Sequence, residues 1–114
     1  MSSLAYITIG TGVGVGVVVN HSLVHGLQHP EGGHIRVSKN PKDPFEGSCP
    51  IHKDCLEGLI CNGAIKLRKN LSSVFECENI PDEDEIWDFI ANYIAQLCVN
   101  LLYLISVQKI IIGN

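Results

Sequence analysis

The sequence predicts an α/β fold, and three features of its 114 residues support this prediction. The first part of the chain holds three short β-rich runs, Tyr6–Ile9, Val17–Val19 and Ser22–Val24. Apolar residues then recur at helical spacing from Ile86 to Ile105. The run Gln108–Ile112 is typical of a buried strand, so strands stand on both sides of the helices, as in α/β folds.

The glycine-rich stretch G-T-G-V-G-V-G, residues 10–16, lies between the first two predicted strands. It is neither a Walker loop nor a dinucleotide fingerprint, because those motifs lead from a strand into a helix. Successive backbone amides in such a stretch can cradle a phosphate, and Thr11 adds a hydroxyl group. The spacing alone leaves a plain glycine-rich hairpin and a phosphate loop equally open. Further on, Asn20-His21 predicts a tight hairpin turn, since Asn tolerates a left-handed backbone.

Two helical regions are predicted in the second half of the chain. The first runs from just after Cys55 to about Lys69, where the basic cluster of Lys66, Arg68 and Lys69 is interpreted as a solvated helix end. Asp82 and Glu85 form a candidate capping box for the second. The apolar run over residues 94–112 begins inside this second helix and is long enough to suggest a membrane span. Polar residues interrupt that run, so a buried helix followed by a buried strand is favoured.

Composition limits the class of protein. A net charge of −4 argues against a nucleic-acid-binding face. Five cysteines, an odd number, and an N-terminus without a basic region argue against a secreted disulfide framework. We therefore expect a reducing, cytoplasmic location, where clustered Cys and His residues indicate metal ligands. The content of 46% hydrophobic and 18% charged residues suggests that part of the surface is covered.

The stretch EGSCPIHKDCLEG places Cys49, His52 and Cys55 three residues apart. With His34, which follows two glycines, they form the pattern H-x14-C-x2-H-x2-C. Two Cys and two His suit a tetrahedral zinc site. A metal would also organise the polar, proline-containing loop over 38–55, which cannot build a core of its own. The alternative is a loop with unliganded thiols and imidazoles.

Glu31 and Glu57 flank these four residues. If a metal folds the loop, both carboxylates approach one point, where they could accept hydrogen bonds from a polyol. Either residue taken singly would by default lie at the surface. His21, His25 and His29 are four residues apart and would share one helix face. The glycine and proline around them argue against a helix, so we expect exposed loop residues there.

The remaining cysteines, Cys61, Cys77 and Cys98, fall at helical or connecting positions. They are interpreted as ordinary buried cysteines.

Together these residues resemble the ROK family of sugar kinases, and within it the bacterial zinc-containing fructokinases. The matching stretches are YITIGTGVGVGVVVN, HGLQHPEGGHI, GSCPIHKDCLEGL with GAIKLR, and IWDFIANYIAQLCVNLLYLISVQKIIIGN. The resemblance implies that the zinc ligands are His34, Cys49, His52 and Cys55. It also implies sugar contacts from Glu31, His34 and Glu57, and ATP-phosphate contacts from Gly10, Thr11 and Gly12.

The resemblance further implies a partial actin-like, ribonuclease H-like kinase lobe with a zinc-binding loop. The reaction implied is phosphoryl transfer from ATP, with magnesium, to fructose, giving fructose 6-phosphate. Such enzymes are over twice as long as this chain, and their first phosphate loop, D-x-G-G-T, and catalytic Asp have no match here. We therefore expect one partial lobe over 1–114, with a strand hairpin over 5–25, a zinc and sugar loop over 26–58, and helices with a final strand over 59–112.

Three functions stay open at this point. In the first, the chain is a kinase lobe that is inactive alone. In the second, it is a non-catalytic zinc-stabilised sugar-binding or regulatory remnant. In the third, it is a relic that does not fold alone. Val15 stands where the family has a glycine, and its side chain is expected to crowd a nucleotide phosphate. The expected partners are a hexose and ATP, with a homodimer or the missing kinase lobe, and neither nucleic acid nor membrane.

Overall fold

The computed structural model describes residues 2–113, so Met1 and Asn114 of the predicted lobe lie outside the described residues. Four strands form one sheet in the order β3-β2-β1-β4. They are β1 (Leu4–Ile9), β2 (Val13–Val19), β3 (Ser22–Leu23) and β4 (Lys109–Gly113). The pairs β1–β2 and β2–β3 are antiparallel, whereas β1 and β4 are parallel and joined through the helices. The α/β class predicted from the sequence is confirmed.

Two turns connect the first three strands. Residues 10–12 join β1 to β2, whose register pairs Ile9 with Val13, and the Gly10 amide donates to the Gly12 carbonyl at 2.9 Å. Asn20 and His21 join β2 to β3 with left-handed φ values of 51° and 67°. Two left-handed residues in a two-residue loop are the geometry that matches the twist of a hairpin, so the predicted turn is present.

The second strand begins at Val13, four residues earlier than the predicted run Val17–Val19. Its valines at alternate positions are buried, while Gly14 and Gly16 occupy the other face. Val15 therefore faces the core. A Cβ on Gly32 would lie only 2.6 Å from Val15 Cγ2, so the two residues are in close contact. The expectation that Val15 crowds a nucleotide phosphate is wrong, because its side chain packs under the turn that carries Gly32.

Three α-helices cover this buried face of the sheet: α1 (Leu56–Ile60), α2 (Asn62–Arg68) and α3 (Ile86–Ile105). Short 3₁₀ turns lie at Gly32–His34 and at Val74–Asn79. The core is formed by alternate residues of β1 and β2 with the inner faces of α1 and α3. Its largest fully buried side chains are Tyr93, Ile7, Leu56, Leu59 and Ile60.

The continuous helix predicted after Cys55 is broken at Cys61, whose ψ of 168° is extended. The break lets the Asn62 amide donate to the Gly10 carbonyl at 2.8 Å, a tertiary contact that overrides local helix propensity. The capping box predicted at Asp82 and Glu85 is also wrong. The helix α3 starts at Ile86, and the Ile86 amide donates a hydrogen bond to the Asp84 side chain at 3.0 Å.

The apolar run 94–112 is divided between two elements. The helix α3 ends at Ile105, Ser106 adopts a left-handed φ of 59°, and β4 begins at Lys109. By length and composition α3 could cross a membrane, but core helices pass the same test. Tyr93, within α3, is fully buried in the core. The predicted order of helix followed by strand is thus observed. The expectation that both are buried is wrong, because only six of the 20 residues of α3 are buried and none of β4 is.

A buried polar network ties the long loop to the helices. Arg68 on α2 donates to both carboxylate oxygens of Asp43, at 2.8 and 3.0 Å, and Tyr93 on α3 donates to the same carboxylate at 2.7 Å. The side chains of Arg68 and Asp43 are 3% and 0% exposed. Arg68 is therefore buried, and its interpretation as part of a solvated helix end is wrong. Its guanidinium also stacks over the Phe45 ring at 4.5 Å.

This network shifts two pKa values in opposite directions. Burial raises the pKa of Asp43, but hydrogen bonds from Arg68 and Tyr93 outweigh it, so the net pKa lies below the usual range. Burial, together with the bond to Asp43, raises the pKa of Tyr93 to about 12. A carboxylate with a depressed pKa in the folded state stabilises the fold above its unfolded pKa of about 3.9, and this stabilisation is lost as the pH falls through the folded pKa.

Replacing Asp43 with Asn should therefore lower the free energy of unfolding by about 3–5 kcal/mol at pH 7, because it leaves the Arg68 charge buried and unpaired. The variant should also lose less stability than the wild type on acidification below about pH 4. Urea unfolding followed by circular dichroism from pH 3 to pH 7 measures both effects.

Glu46→Gln is the matched control, since it removes one charge from the same loop at an exposed ion pair with Lys53. Its cost should be about 0–1 kcal/mol. Equal losses for the two variants would contradict the structural role assigned to the buried pair.

Candidate metal centre and adjoining cavity

The four predicted metal ligands converge on one point although they come from three places in the chain. His34 ends the 3₁₀ turn after Gly33, and Cys55 immediately precedes α1. Cys49 and His52 lie on a tight turn, closed by bridge pairing of Cys49 with Lys53, whose φ of 65° is left-handed. Pairing of Arg36 with Cys55 lays the two outer segments side by side.

The ligand atoms fit a tetrahedral metal ion. The Nδ1 atom of His34 lies 3.9 Å from Cys49 Sγ, 3.6 Å from Cys55 Sγ and 3.2 Å from His52 Nδ1. All four ligand atoms lie within 4.8 Å of one another. Tetrahedral zinc with ordinary Zn–S and Zn–N bond lengths holds its ligand atoms about 3.3–3.8 Å apart. The donor set and its spacing therefore suit zinc, with two thiolates and two imidazoles.

The protein environment prepares one thiol for metal binding. The backbone amide of His52 donates to Cys49 Sγ at 3.4 Å and lowers the pKa of the Cys49 thiol to about 7. Burial instead raises the pKa of the Cys55 thiol. Backbone donors stabilise a thiolate, and the thiolate is the form that binds a metal.

Glu57 connects this cluster to the glycine-rich turn. Its Oε1 atom accepts the Val13 amide at 2.9 Å, and its Oε2 atom lies 3.8 Å from His34 Nε2. Both the His34 and Glu57 side chains are about one quarter exposed, at 27% and 23%. A Cβ on Gly12 would lie 2.7 Å from Glu57 Oε1, so a glycine is needed there for the carboxylate to approach. The cluster and the turn thus share one carboxylate.

The other predicted sugar-contacting carboxylate has a different setting. Glu31 is exposed, and its Oε1 atom lies 3.0 Å from His29 Nε2. Its backbone carbonyl accepts the His34 amide at 3.0 Å, which holds the turn beside the metal cluster. His21, His25 and His29 are exposed, as expected for loop residues. A sugar contact from the Glu31 side chain stays a prediction.

A cavity of about 280 Å³ opens between three segments. They are the glycine turn (residues 10–12), the loop that carries Cys49, and the break between α1 and α2 at Cys61. Its lining includes Thr11, Glu57, Cys49 and Cys61. The volume is near the lower end of the range for ligand pockets, about 300–1,000 Å³. The cavity thus adjoins one predicted phosphate contact, Thr11, and one predicted sugar contact, Glu57.

Sequence reasoning missed two members of this site. Cys61 is buried, as expected, but it also lines the cavity, and its Sγ atom lies 3.7 Å from Ser48 Oγ. The Val13 amide, which Glu57 binds, carries no side-chain signal at all. A helix pattern that continued through Cys61 concealed the break that places this residue in the cavity lining.

We expect the purified chain to hold about one zinc ion per molecule, since four protein ligands form a closed structural site. His34→Ala should lose it, because three ligands remain. His25→Ala removes an exposed imidazole and serves as the control. Elemental analysis after gel filtration measures the stoichiometry, and retention of tightly bound zinc by His34→Ala would contradict the assignment of this ligand.

Comparison with known proteins places this chain in a family. The fructokinase of Pediococcus pentosaceus is 42% identical over 109 residues, covering 96% of this chain and 36% of the relative. The fructokinase of Streptococcus mutans is 38% identical over 117 residues, covering 100% of this chain and 39% of the relative. The chain thus spans well under half the length of these curated relatives.

Solved structures agree on the fold. A ROK hexokinase from Thermus thermophilus superposes with a TM-score of 0.69 at 20% identity, over 98% of this chain and 42% of the other. A ROK family glucokinase from Streptomyces griseus, in complex with glucose and AMPPNP, gives a TM-score of 0.63 at 17% identity, over 98% and 44%. The predicted kinase fold is thereby confirmed. Residues 1–114 match the ROK family throughout, and the chain belongs to that family.

Proposed function

We propose that this chain is the metal-binding and sugar-binding part of an ATP-dependent sugar kinase whose substrate is fructose. The contact that carries the proposal is the carboxylate of Glu57, which lies between His34 of the metal cluster and the Val13 amide of the glycine turn. One residue thus adjoins both the predicted sugar contacts and the predicted phosphate contacts. The fructokinases that resemble this chain support fructose as the acceptor.

On the sugar side, Glu57 lines the cavity, His34 Nε2 lies 3.8 Å from its Oε2 atom, and both side chains are partly exposed. A carboxylate accepts hydrogen bonds from hydroxyl groups, and two adjacent hydroxyls of a hexose suit its two oxygens. Glu31 is the third proposed contact. It would have to exchange its present contact with His29 for one with the sugar.

On the phosphate side, the glycine turn offers fewer donors than its sequence suggests. The Gly10 amide donates to Gly12, and the Val13 amide donates to Glu57. A phosphate would therefore be met by the amides of Thr11 and Gly12 and by the Thr11 hydroxyl. Gly10 would contribute to the turn conformation. The relatives support ATP, with magnesium, as the phosphoryl donor.

Zinc would supply structure rather than chemistry. Four protein ligands leave no open coordination position for a substrate or a water molecule. The ion would hold His34, Cys49, His52 and Cys55 together and so fix the loop over 38–55 against α1. Phosphoryl transfer depends on positioning, charge neutralisation and a base for the sugar hydroxyl. We propose that the base lies outside this chain, which binds and orients the sugar.

A second candidate is a non-catalytic, zinc-stabilised sugar-binding or regulatory protein. The observation that favours it is the location of the metal cluster, Glu57 and the cavity within this one chain. Such a protein would need no transfer step. For either function we propose a reducing, cytoplasmic location, which suits the five free thiols.

The zinc-loaded chain should bind fructose but should not phosphorylate it with ATP and magnesium. Titration calorimetry measures the binding, and a coupled assay for ADP measures the transfer. Glu57→Ala should weaken binding at least about tenfold, since it removes charged hydrogen-bond acceptors from the site.

Glu83→Ala, at an exposed carboxylate before α3, should bind fructose like the wild type. Fructose-dependent ADP production by the pure chain, abolished in Glu57→Ala, would show that the base lies within it. Binding that Glu57→Ala leaves unchanged would remove the basis of the proposed sugar site.

A further inference from the structure

We propose that metal occupancy of the His34–Cys49–His52–Cys55 cluster is transmitted to the glycine turn through Glu57, which acts as a positioning residue. The inference goes beyond sugar binding and rests on the proposed metal centre. The path has three members: the His34 ring, the Glu57 carboxylate and the Val13 amide. Two distances define this path, 3.8 Å from His34 Nε2 to Glu57 Oε2 and 2.9 Å from the Val13 nitrogen to Glu57 Oε1.

The first step follows from which atom of His34 faces the cluster. Its Nδ1 atom is the one that lies within 3.9 Å of the other ligand atoms. A metal on Nδ1 places the ring proton on Nε2, which faces Glu57 Oε2. Without a metal either ring nitrogen can carry the proton. Metal binding therefore creates a fixed donor aimed at the carboxylate.

The second step is the closing of one gap. His34 Nε2 and Glu57 Oε2 are 3.8 Å apart, which is longer than a hydrogen bond. A shift of about 0.8 Å would bring them to bonding distance. A carboxylate that accepts the second N–H of a ligating histidine fixes its ring, and loss of such a partner typically costs about 10–100-fold in metal affinity.

The third step reaches the glycine turn. The other oxygen of Glu57 already accepts the Val13 amide, at the first residue of β2. The Gly10 carbonyl is held separately by the Asn62 amide at the start of α2. Both ends of the turn are thus fastened to the segment that begins at Cys55. Fixing Glu57 from the metal side should reduce the opening of the turn at Val13.

The first test needs only the wild-type chain. Amide exchange, followed by ¹H–¹⁵N NMR, should be at least about tenfold slower at Val13 with zinc than without it, because opening of the turn must then break a fixed contact. The Ile7 amide, in the central strand β1, is the internal reference. Metal content is measured on the same samples.

The second test moves the carboxylate without touching a ligand. A Cβ at position 12 would lie 2.7 Å from Glu57 Oε1, so Gly12→Ala should displace Glu57 and weaken zinc binding about 10–100-fold. A Cβ at Gly16 meets nothing within 4 Å, so Gly16→Ala, in the same hairpin, is the matched control. Glu57→Gln should abolish the zinc-dependent slowing at Val13, since the amide nitrogen offers no acceptor to His34.

The outcomes separate the two proposals. One bound zinc with an unchanged exchange rate at Val13, or equal zinc affinity in Gly12→Ala and Gly16→Ala, would overturn the coupling and leave the metal centre intact. Absence of bound zinc would overturn both. Slowing at Val13 with zinc, together with weaker binding in Gly12→Ala, would establish the link whether or not the chain binds fructose.

Discussion

The buried ion pair between Asp43 and Arg68 is the contact on which the placement of the long loop depends. Both side chains are almost completely buried, and Tyr93 and the Leu59 carbonyl complete their hydrogen bonding. A buried pair stabilises a fold only when its hydrogen bonds are satisfied, and here they are. The pair joins a loop with no regular strand to α2 and α3. The candidate metal ligands that follow in the loop therefore start from a fixed position.

The loop over 38–55 is held at two places by two kinds of chemistry. The Asp43 network fixes its first half, and the cluster at Cys49 and His52 would fix its second half once a metal binds. Ordering such a segment costs about 1–2 kcal/mol per residue in backbone entropy, and little apolar burial is available to offset that cost. Ion pairing and metal binding replace the missing core. The edge of the site that we propose to face the sugar is built on this arrangement.

Features that rest on local pattern could be predicted from the sequence, and features that rest on distant contacts could not. The spacing of Cys49, His52 and Cys55 identified three candidate ligands, and the apolar stripe identified α3. No periodicity links Asp43 to Arg68, which lie 25 residues apart. The break at Cys61 likewise depends on Asn62 bonding to Gly10 across the fold. Arg68 looked solvated because its buried partner lay outside any local window.

The packing of Val15 against Gly32 has a consequence for how this sequence can vary. The side chain of one residue occupies the space that a methyl group on the other would need. Side chains on strand β2 and on the turn before His34 therefore compete for the same space, which the Val15 side chain fills. Enlarging position 32 demands a smaller residue at position 15, whereas a glycine at position 15 would leave room for a side chain on the turn. Substitution at these two positions is thus expected to be compensatory, with each partner limiting the size of the other.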